Sequence, residues 1–207
     1  MYLPRHFTEE RVPVLHDAIR QARLGTLVTL GEAGLEASHV PMLIDPEPAP
    51  YGTLRGHVSR ANPQWRRPAA GVQALAMFLG PDAYISPAWY ATKRQTGKVV
   101  PTWNYLTVHA YGPLRSFEDP ERLTAHVERL TATHDSEWRL SDAPADYVEG
   151  MVKGIVGLEL PITRLEGKWK MSQNRPEADQ LGAIAGLEAA GGAAEQAVAQ
   201  VMRALHT

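Results

Sequence analysis

Val99-Val100-Pro101-Thr102-Trp103-Asn104-Tyr105-Leu106-Thr107-Val108 begins a run of β-branched and aromatic residues that continues to Phe117, with a break at Gly112-Pro113. Residues of these two kinds favour β-strands, whereas glycine and proline interrupt them. The run therefore predicts two consecutive strands or one bent strand. Because side chains alternate between the two faces of a strand, Trp103 and Asn104 are expected on opposite faces.

Other strand-like segments lie on both sides of this run. They are Gly25 to Leu30, Glu36 to Leu43, Thr53 to Ser59, Val72 to Leu79 with Ala83-Tyr84-Ile85 as its continuation, and Ile155 to Leu165. The first two, joined by a turn at Glu32-Ala33-Gly34, predict a hairpin. About six strands with short connections predict a mainly β fold, an antiparallel barrel with peripheral helices, instead of a doubly wound parallel sheet.

Two helices and a helical tail complete the pattern. Thr8 is a candidate cap for a first amphipathic helix, and Asp119-Pro120-Glu121 begins a second. The apolar stripe of the second helix is Leu123, Val127 and Leu130. From Glu177 onwards the chain is rich in alanine, glutamate and glutamine. We therefore expect one domain over residues 1–175 and a C-terminal helical extension over residues 176–207.

The composition excludes several classes of protein. The chain has no cysteine, which rules out disulfides, zinc–thiolate sites and a cysteine nucleophile. Its formal charge of −2 and pI of 6.4 differ from those of a typical nucleic-acid-binding protein. No apolar run reaches the roughly 18 residues of a membrane span, and the N-terminus lacks the apolar core of a signal peptide. We therefore expect a soluble, cytoplasmic protein that contacts no membrane.

Sequence motifs narrow the chemistry further. The eight histidines form no H-E-x-x-H motif, and without cysteine they predict no metal site. The G-x-S-x-G, G-x-x-x-x-G-K-[ST] and G-x-G-x-x-G patterns are also missing from the sequence. Their absence argues against a hydrolase of that type, a P-loop enzyme and a Rossmann cofactor site. No catalytic residue is identified.

Four of the five tryptophans lie beside polar and basic residues instead of inside apolar runs. The four segments span residues 54–65, 85–94, 99–105 and 167–175. Hydroxyl, guanidinium and amide groups together suit a phosphate, and aromatic faces with amide groups suit a flat heterocycle. Taken singly, each segment is as consistent with a capped helix, a core aromatic residue or a solvated turn. The first three lie close together in the chain, between residues 54 and 105, and this favours a ligand site.

The residues of these segments and their order along the chain resemble the PaiB family of FMN-binding negative transcriptional regulators. The matching segments are Met1-Tyr2-Leu3-Pro4 with Phe7, His57-Val58-Ser59-Arg60-Ala61-Asn62-Pro63, Ser86-Pro87 with Trp89-Tyr90 and Lys93, Val99-Val100-Pro101-Thr102-Trp103-Asn104-Tyr105, and Lys170-Met171-Ser172-Gln173-Asn174-Arg175. They extend from the first residue to about residue 175. Ser59 stands where the family usually has alanine, which is a small change.

The resemblance implies an FMN-binding split barrel, a six-stranded antiparallel fold of the Greek-key type shared with pyridoxamine 5′-phosphate oxidases, here with C-terminal helices. It also implies a homodimer with FMN at the subunit interface, so that both subunits contribute to each site. Carried onto this chain, the phosphate candidates are Arg60, Ser86, Lys93 and Arg94. The candidates for the ring system and its edges are Trp103, Asn104, Lys170 and Gln173. The predicted cofactor-binding set is completed by His57, Asn62 and Thr102.

The function that this resemblance implies is that of a flavin-dependent transcriptional regulator. The near-neutral charge and the lack of a helix-turn-helix pattern argue against direct DNA binding. One alternative is an FMN-dependent oxidoreductase acting on an unknown small molecule, in which the cofactor supplies the hydride chemistry. A further alternative is a haem-binding split barrel with His57 or His109 as axial ligand.

Overall fold

A computed structural model describes residues 1–32, 34–66 and 71–206 of the chain. Ala33, in the middle of the predicted hairpin turn, lies outside the described residues. The strands are β1 Thr8–Glu9, β2 Leu24–Gly31, β3 Gly34–Asp45, β4 Thr53–Ser59, β5 Ala74–Ile85, β6 Thr102–Gly112, β7 Arg115–Phe117, β8 Ile155–Pro161 and β9 Arg164–Lys170. The helices are α1 Val12–Ala22, α2 Ala91–Thr96, α3 Pro120–His134, α4 Ala145–Lys153, α5 Glu177–Ala190 and α6 Ala193–His206.

The predicted mainly β, antiparallel fold with helices is confirmed, but the expected count of six strands is wrong. The described residues form nine strands, and their pairing does not close into the expected barrel, because β1 and β7 stand at the two ends of the hydrogen-bonded order. The segment predicted as one strand from Ile155 to Leu165 turns at Ile162-Thr163 and belongs to β8 and β9. The run predicted from Val99 to Phe117 forms two consecutive strands, one of the two outcomes expected, but the first begins only at Thr102, directly after Pro101. Strands β1 and β7 are only two and three residues long, too short to show an alternating pattern in the sequence.

The chain divides into two compact units, and it passes from one to the other between β1 and α1 and within β5, β6 and β9. The first unit comprises residues 1–11, 79–108 and 166–207. Its strands are hydrogen-bonded in the order β1-β9-β6-β5, and its helices are α2, α5 and α6. Thr8, the predicted helix cap, lies instead in β1 opposite Lys168 of β9, because its backbone groups are used in that strand pairing. Helix α1 begins at Val12, with Pro13 in its first turn.

Helix α5 packs closely on the 3₁₀ turn Pro87–Trp89 in this first unit. Gly182 and Gly186 lie one helical turn apart and face Trp89. A methyl group on Gly186 would come within 2.2 Å of the indole ring, and one on Gly182 within 2.1 Å of the Trp89 carbonyl oxygen. The two glycines therefore allow this close approach.

The second unit comprises residues 12–78 and 109–165. Its strands are hydrogen-bonded in the order β5-β2-β3-β4-β8-β7, with antiparallel pairing wherever the register is defined. Helix α1 lies against β3, and helices α3 and α4 lie against β8. The most deeply buried side chains include Leu15, Ile19, Leu27, Leu54, Leu123 and Leu160. None of the helices in the described part of the chain is long and apolar enough to span a membrane.

Candidate functional site

The predicted site residues fall in both units. His57, Arg60 and Asn62 belong to the second unit, and all the others belong to the first. Each unit therefore carries its own part of the predicted set.

In the first unit, Ser86, Lys93 and Arg94 lie in or just before the short helix α2. Ser86 Oγ accepts a hydrogen bond of 3.2 Å from the backbone N–H of Ala88, and so caps the turn that precedes the helix. The side chains of Lys93 and Arg94 are exposed, and neither forms an ion pair with another described residue. Helix α2 thus presents two cationic groups to solvent.

Asp179 of α5 holds this helix, although nothing in the sequence distinguished it from the other acidic residues of the tail. Its side chain is 1% exposed, and Oδ1 accepts a hydrogen bond of 2.8 Å from the backbone N–H of Thr92. A buried carboxylate that accepts a backbone N–H in the first turn of a helix also interacts favourably with the helix dipole. Asp179 is therefore a positioning residue for the segment that carries Lys93 and Arg94.

Trp103 and Asn104 lie on opposite faces of β6, as the alternation of strand side chains predicts. Trp103 is 55% exposed, and its ring packs edge to face against Tyr84 of β5 with the ring centroids 6.0 Å apart. Tyr84 is itself 46% exposed. Two aromatic rings on neighbouring strands thus form an exposed aromatic pair in the first unit.

Asn104 is fully buried and ties β6 to the C-terminal part of the same unit. Its Oδ1 accepts a hydrogen bond of 3.1 Å from Ser172 Oγ, and its Nδ2 lies 3.3 Å from Met202 Sδ of α6. Both ends of the amide are therefore occupied inside the chain. A contact of Asn104 with the edge of a flavin ring stays a prediction.

Lys170 at the end of β9 joins two of the sequence segments. Its Nζ donates a hydrogen bond of 2.6 Å to Thr102 Oγ1 and a second hydrogen bond to the Trp103 carbonyl oxygen. Burial lowers the pKa of Lys170, and the positive charges of Lys168 and Arg175 act in the same direction. The structure therefore brings Thr102, Trp103 and Lys170 together, and their contact with a flavin stays a prediction.

Gln173 closes the turn that follows β9. Its Oε1 accepts a hydrogen bond of 2.7 Å from the Met171 N–H, and its Nε2 donates one of 2.6 Å to the Trp169 carbonyl oxygen. Ser172 within this turn has a positive φ of 66°. The Gln173 amide is used to hold this backbone conformation, next to the Ser172 hydroxyl that contacts Asn104.

In the second unit, Arg60 connects the end of β4 to the link between α4 and β8. Its Nε donates a hydrogen bond of 2.8 Å to the Lys153 carbonyl oxygen, and its Nη2 donates one of 3.2 Å to the Ile155 carbonyl oxygen. Nη1 forms an ion pair with Glu118. A phosphate bound at Arg60 would have to share the guanidinium with this carboxylate.

Asn62 caps the 3₁₀ turn Pro63–Trp65. Its Oδ1 accepts a hydrogen bond of 2.9 Å from the Gln64 N–H, and its Nδ2 donates one of 3.0 Å to Ser38 Oγ on β3. Gln64 is 2% exposed and donates to the Leu27 carbonyl oxygen at 3.1 Å, which fixes the turn to the β2–β3 hairpin. Asn62 therefore holds the segment that follows β4 against its own sheet.

His57 forms a pair with His126, a residue that the sequence analysis did not single out. His57 Nδ1 lies 3.2 Å from His126 Nε2, and the rings are nearly perpendicular at 77°. Burial lowers the pKa of His57. Burial, His57 and the guanidinium groups of Arg129 and Arg55 lower the pKa of His126 to about 4. Both rings are therefore uncharged at neutral pH.

The burial of His126 was not predicted because the buried face of α3 differs from the expected apolar stripe. The sequence predicts Leu123, Val127 and Leu130 on the buried face, whereas the helix buries Leu123, His126 and Leu130. Positions three and four residues apart both lie near one helix face, so spacing alone does not distinguish His126 from Val127. Hydrophobicity favoured the valine, but the tertiary packing buried the histidine.

An open groove of 720 Å³ begins beside His57. One wall of the groove is polar and consists of Ser38, His39, His57, Ser59 and Asn62. The opposite wall is formed by α4. Two of the three predicted residues of this unit, His57 and Asn62, therefore line one groove.

The comparison with known proteins decides the family. The family described as "Putative FMN-binding domain" matches residues 1–164 of the chain. The chain belongs to this family. An uncharacterised protein of Emericella nidulans is 35% identical over 242 residues, which cover 98% of this chain and 96% of that protein. The protease synthase and sporulation protein PAI 2 of Bacillus subtilis is 33% identical over 191 residues, covering 91% of this chain and 89% of that protein.

The fold of this FMN-binding domain is also found among solved structures of low sequence identity. The flavocytochrome Anf3 of Azotobacter vinelandii has a TM-score of 0.61 at 11% identity, with 87% of this chain and 78% of that chain covered. This similarity supports the split-barrel fold. The resemblance to the PaiB family, inferred from the sequence segments, is confirmed.

The residues of this FMN-binding domain fit the chemistry of a flavin mononucleotide. A phosphate dianion needs cationic donors, and Lys93 and Arg94 present two such groups without an ion-pair partner among the described residues. A flavin ring needs flat apolar walls, and Trp103 with Tyr84 forms an exposed aromatic pair in the same unit. The donor set and the aromatic surface are therefore both present in the first unit.

Proposed function

We propose that this protein binds FMN through Lys93, Arg94 and the aromatic face of Trp103, and acts as a flavin-dependent transcriptional regulator. The observation that carries the flavin assignment is the exposure of these cations and of this aromatic pair in one compact unit. When bound, FMN supplies reversible redox chemistry. The residues of this chain bind and orient the cofactor.

We also propose that the protein is a homodimer with FMN at the subunit interface. Leu79, Tyr84 and Trp103 are large apolar side chains on β5 and β6, and they are 72%, 46% and 55% exposed. Exposed apolar side chains on neighbouring strands are typical of a surface that a partner covers. A second copy of the chain would bury these side chains and complete each site from the opposite side.

The flavin proposal is tested by titrating flavin-free protein with FMN and with FAD. We expect stoichiometric binding of FMN, with quenching of the flavin fluorescence and release of unmodified FMN on denaturation. The double substitution Lys93→Ala/Arg94→Ala should weaken FMN binding by at least about tenfold, because two charge-assisted hydrogen bonds to the phosphate are lost. Lys153→Ala, which removes an exposed lysine of α4 in the other unit, is the matched control. An unchanged affinity in the double variant, or no flavin binding at saturation, would refute the proposal.

A second candidate function is that of an FMN-dependent oxidoreductase acting on a small molecule. The formal charge of −2 favours this candidate, because it offers little electrostatic attraction to DNA. The name of the Bacillus subtilis relative, a protease synthase and sporulation protein, fits the regulatory role better. Salt-sensitive binding of the flavin-loaded protein to promoter DNA would support the regulator. Oxidation of a reduced nicotinamide with turnover, without DNA binding, would support the oxidoreductase.

A further inference from the structure

The second unit contains an apolar cavity that the flavin proposal does not use. It has a volume of 320 Å³ and lies between α3, α4 and the segment around Leu140. Its lining is mostly apolar and includes His57, Trp138, Leu140, Tyr147, Met151 and Val152. This volume suits a small molecule with a single aromatic ring.

The residues at the mouth of this cavity are unusually exposed for their type. Trp138, Tyr147 and Met151 are 44%, 59% and 56% exposed, whereas Leu140 and Val152 in the floor are 8% and 6% exposed. An apolar molecule in the cavity would remove this aromatic and methionine surface from water, which favours its binding. The lining of the cavity therefore favours an apolar ligand, and aromatic rings lie at its entrance.

The charge of the lining limits the class of ligand. Apart from His57, the described residues that line the cavity carry no ionisable acid or base other than the Tyr147 phenol. Burial lowers the pKa of His57, so its ring is neutral at physiological pH. An ion would lose its hydration in this cavity without gaining an opposite charge, so an uncharged ligand is favoured.

The histidine pair supplies one directional polar contact. His57 Nδ1 is 3.2 Å from His126 Nε2, so His57 Nε2 is the ring nitrogen left for a ligand. If His126 donates in this pair, His57 Nε2 carries the proton and donates; if His57 donates, Nε2 accepts. A hydroxyl group matches either arrangement because it both donates and accepts.

His126 has a structural cost that a purely apolar core would avoid. It is 4% exposed, and its Nδ1 has no hydrogen-bond partner among the described residues. A buried polar atom without a partner destabilises the folded state, because its hydration is lost and no hydrogen bond replaces it. An apolar residue at this position of the α3 stripe would remove that cost but would leave the His57 ring without its orienting contact.

We propose that this cavity binds a small uncharged aromatic alcohol or phenol, with its ring among Trp138, Leu140 and Met151 and its hydroxyl on His57 Nε2. The cavity shares His57, Met151 and Ile155 with the open groove, so the ligand would lie directly beside that groove. The proposal does not depend on the flavin proposal, since Lys93, Arg94 and Trp103 do not line this cavity. His57 here takes a role different from the cofactor contact that the family resemblance implied.

The test uses the full-length, flavin-free protein and three probes of similar size: phenol, anisole and benzoate. Binding is followed by ¹H–¹⁵N correlation spectra. We expect saturable shifts at the Trp138 indole N–H and at the amides of Ala143 and Val148. Phenol should bind about fivefold more tightly than anisole, which corresponds to one ordinary hydrogen bond. Benzoate should cause no saturable shift at these positions.

Two variants separate the cavity from the hydrogen bond. His57→Phe should reduce the preference for phenol over anisole to about one, and Met151→Trp should abolish binding of both by filling the mouth. Leu35→Phe, at an exposed position of β3, is the control that should leave binding unchanged. Because Met151 is exposed, its substitution should not impair folding, which circular dichroism checks.

Three outcomes would overturn the proposal. The first is the absence of saturable shifts around the cavity in the wild-type protein. The second is a preference for phenol that survives in His57→Phe. The third is a set of shifts at the same residues that depends on protein concentration without any probe, which would identify a second copy of the chain as the occupant. Loss of FMN binding in a separate titration would not affect any of these readings.

Discussion

Single residues show how the tertiary environment changes the chemistry expected from residue type. The pKa of His126 is lowered to about 4, because it occupies a buried position of the α3 stripe next to another histidine and two arginines. In the unfolded chain it would titrate near the ordinary value of 6.5. The unfolded state therefore binds a proton at a pH where the folded state does not. The stability that follows from this difference is present above pH 6.5 and is lost as the pH falls toward 4.

This difference predicts a specific pH dependence of stability. Between pH 7 and pH 5.5 the free energy of unfolding should fall by about 1 kcal/mol through His126, a window above the range in which carboxylates titrate. In His126→Phe most of this decrease should disappear, because the unfolded state no longer has an extra proton site there. Urea unfolding at the two pH values measures it. His134→Asn, at an exposed position of the same helix, should retain the wild-type decrease, and a His126→Phe variant that also retained it would contradict the assignment.

At the scale of secondary-structure elements, the C-terminal helices position the segment that carries the proposed phosphate ligands. Asp179 of α5 holds the first turn of α2, and Met202 of α6 contacts the buried Asn104 of β6. Gly182 and Gly186 admit the Trp89 ring and its carbonyl group. The division into a domain over residues 1–175 and an extension over residues 176–207 stays a prediction. The contacts show that α5 packs against α2 and the turn Pro87–Trp89, and that α6 contacts β6, all within the first unit.

The close packing of α5 on Trp89 predicts opposite effects of the same substitution in two helices. Gly186→Ala should lower stability by about 1–3 kcal/mol, because the new methyl group would overlap the indole ring and force α5 away. Gly150→Ala in α4 should instead leave stability unchanged or raise it by about 0.5–1 kcal/mol, because no atom lies within 4 Å of the new methyl group and alanine favours a helix. Calorimetric melting temperatures of the two variants provide the comparison. Equal effects would mean that α5 does not pack on Trp89 in this way.

At the scale of the whole molecule, the proposed dimer accounts for the exposed apolar surface of the first unit. Single exposed apolar residues are common, but Leu79, Tyr84 and Trp103 are large and lie on two neighbouring strands. Covering them with a second copy would also exclude water from the aromatic face proposed for the flavin. Dimerisation and cofactor binding should therefore be coupled.

This coupling is tested by placing a charge on the exposed surface. Leu79→Glu should convert a micromolar dimer into a monomer in sedimentation velocity and weaken FMN binding at the same time, because an interface position would then bury an unpaired carboxylate. Leu35→Glu places the same charge at a position of β3 that is 78% exposed, and should leave the dimer intact. A wild-type monomer at these concentrations, or a Leu79→Glu dimer with full FMN affinity, would refute the coupling.

Sequence alone determined the family, the mainly β antiparallel fold, the existence of two strands between Val99 and Phe117, and the opposite faces of Trp103 and Asn104. These conclusions depend on local properties, namely strand propensity, side-chain alternation and the order of unusual segments. Only the tertiary structure decided three further features. His126 instead of Val127 is buried in α3, Arg60 is paired with Glu118, and Asp179 holds α2. The physical reason is that burial, ion pairing and hydrogen bonding between residues far apart in the chain depend on which elements meet. Propensity and spacing describe each element only by itself.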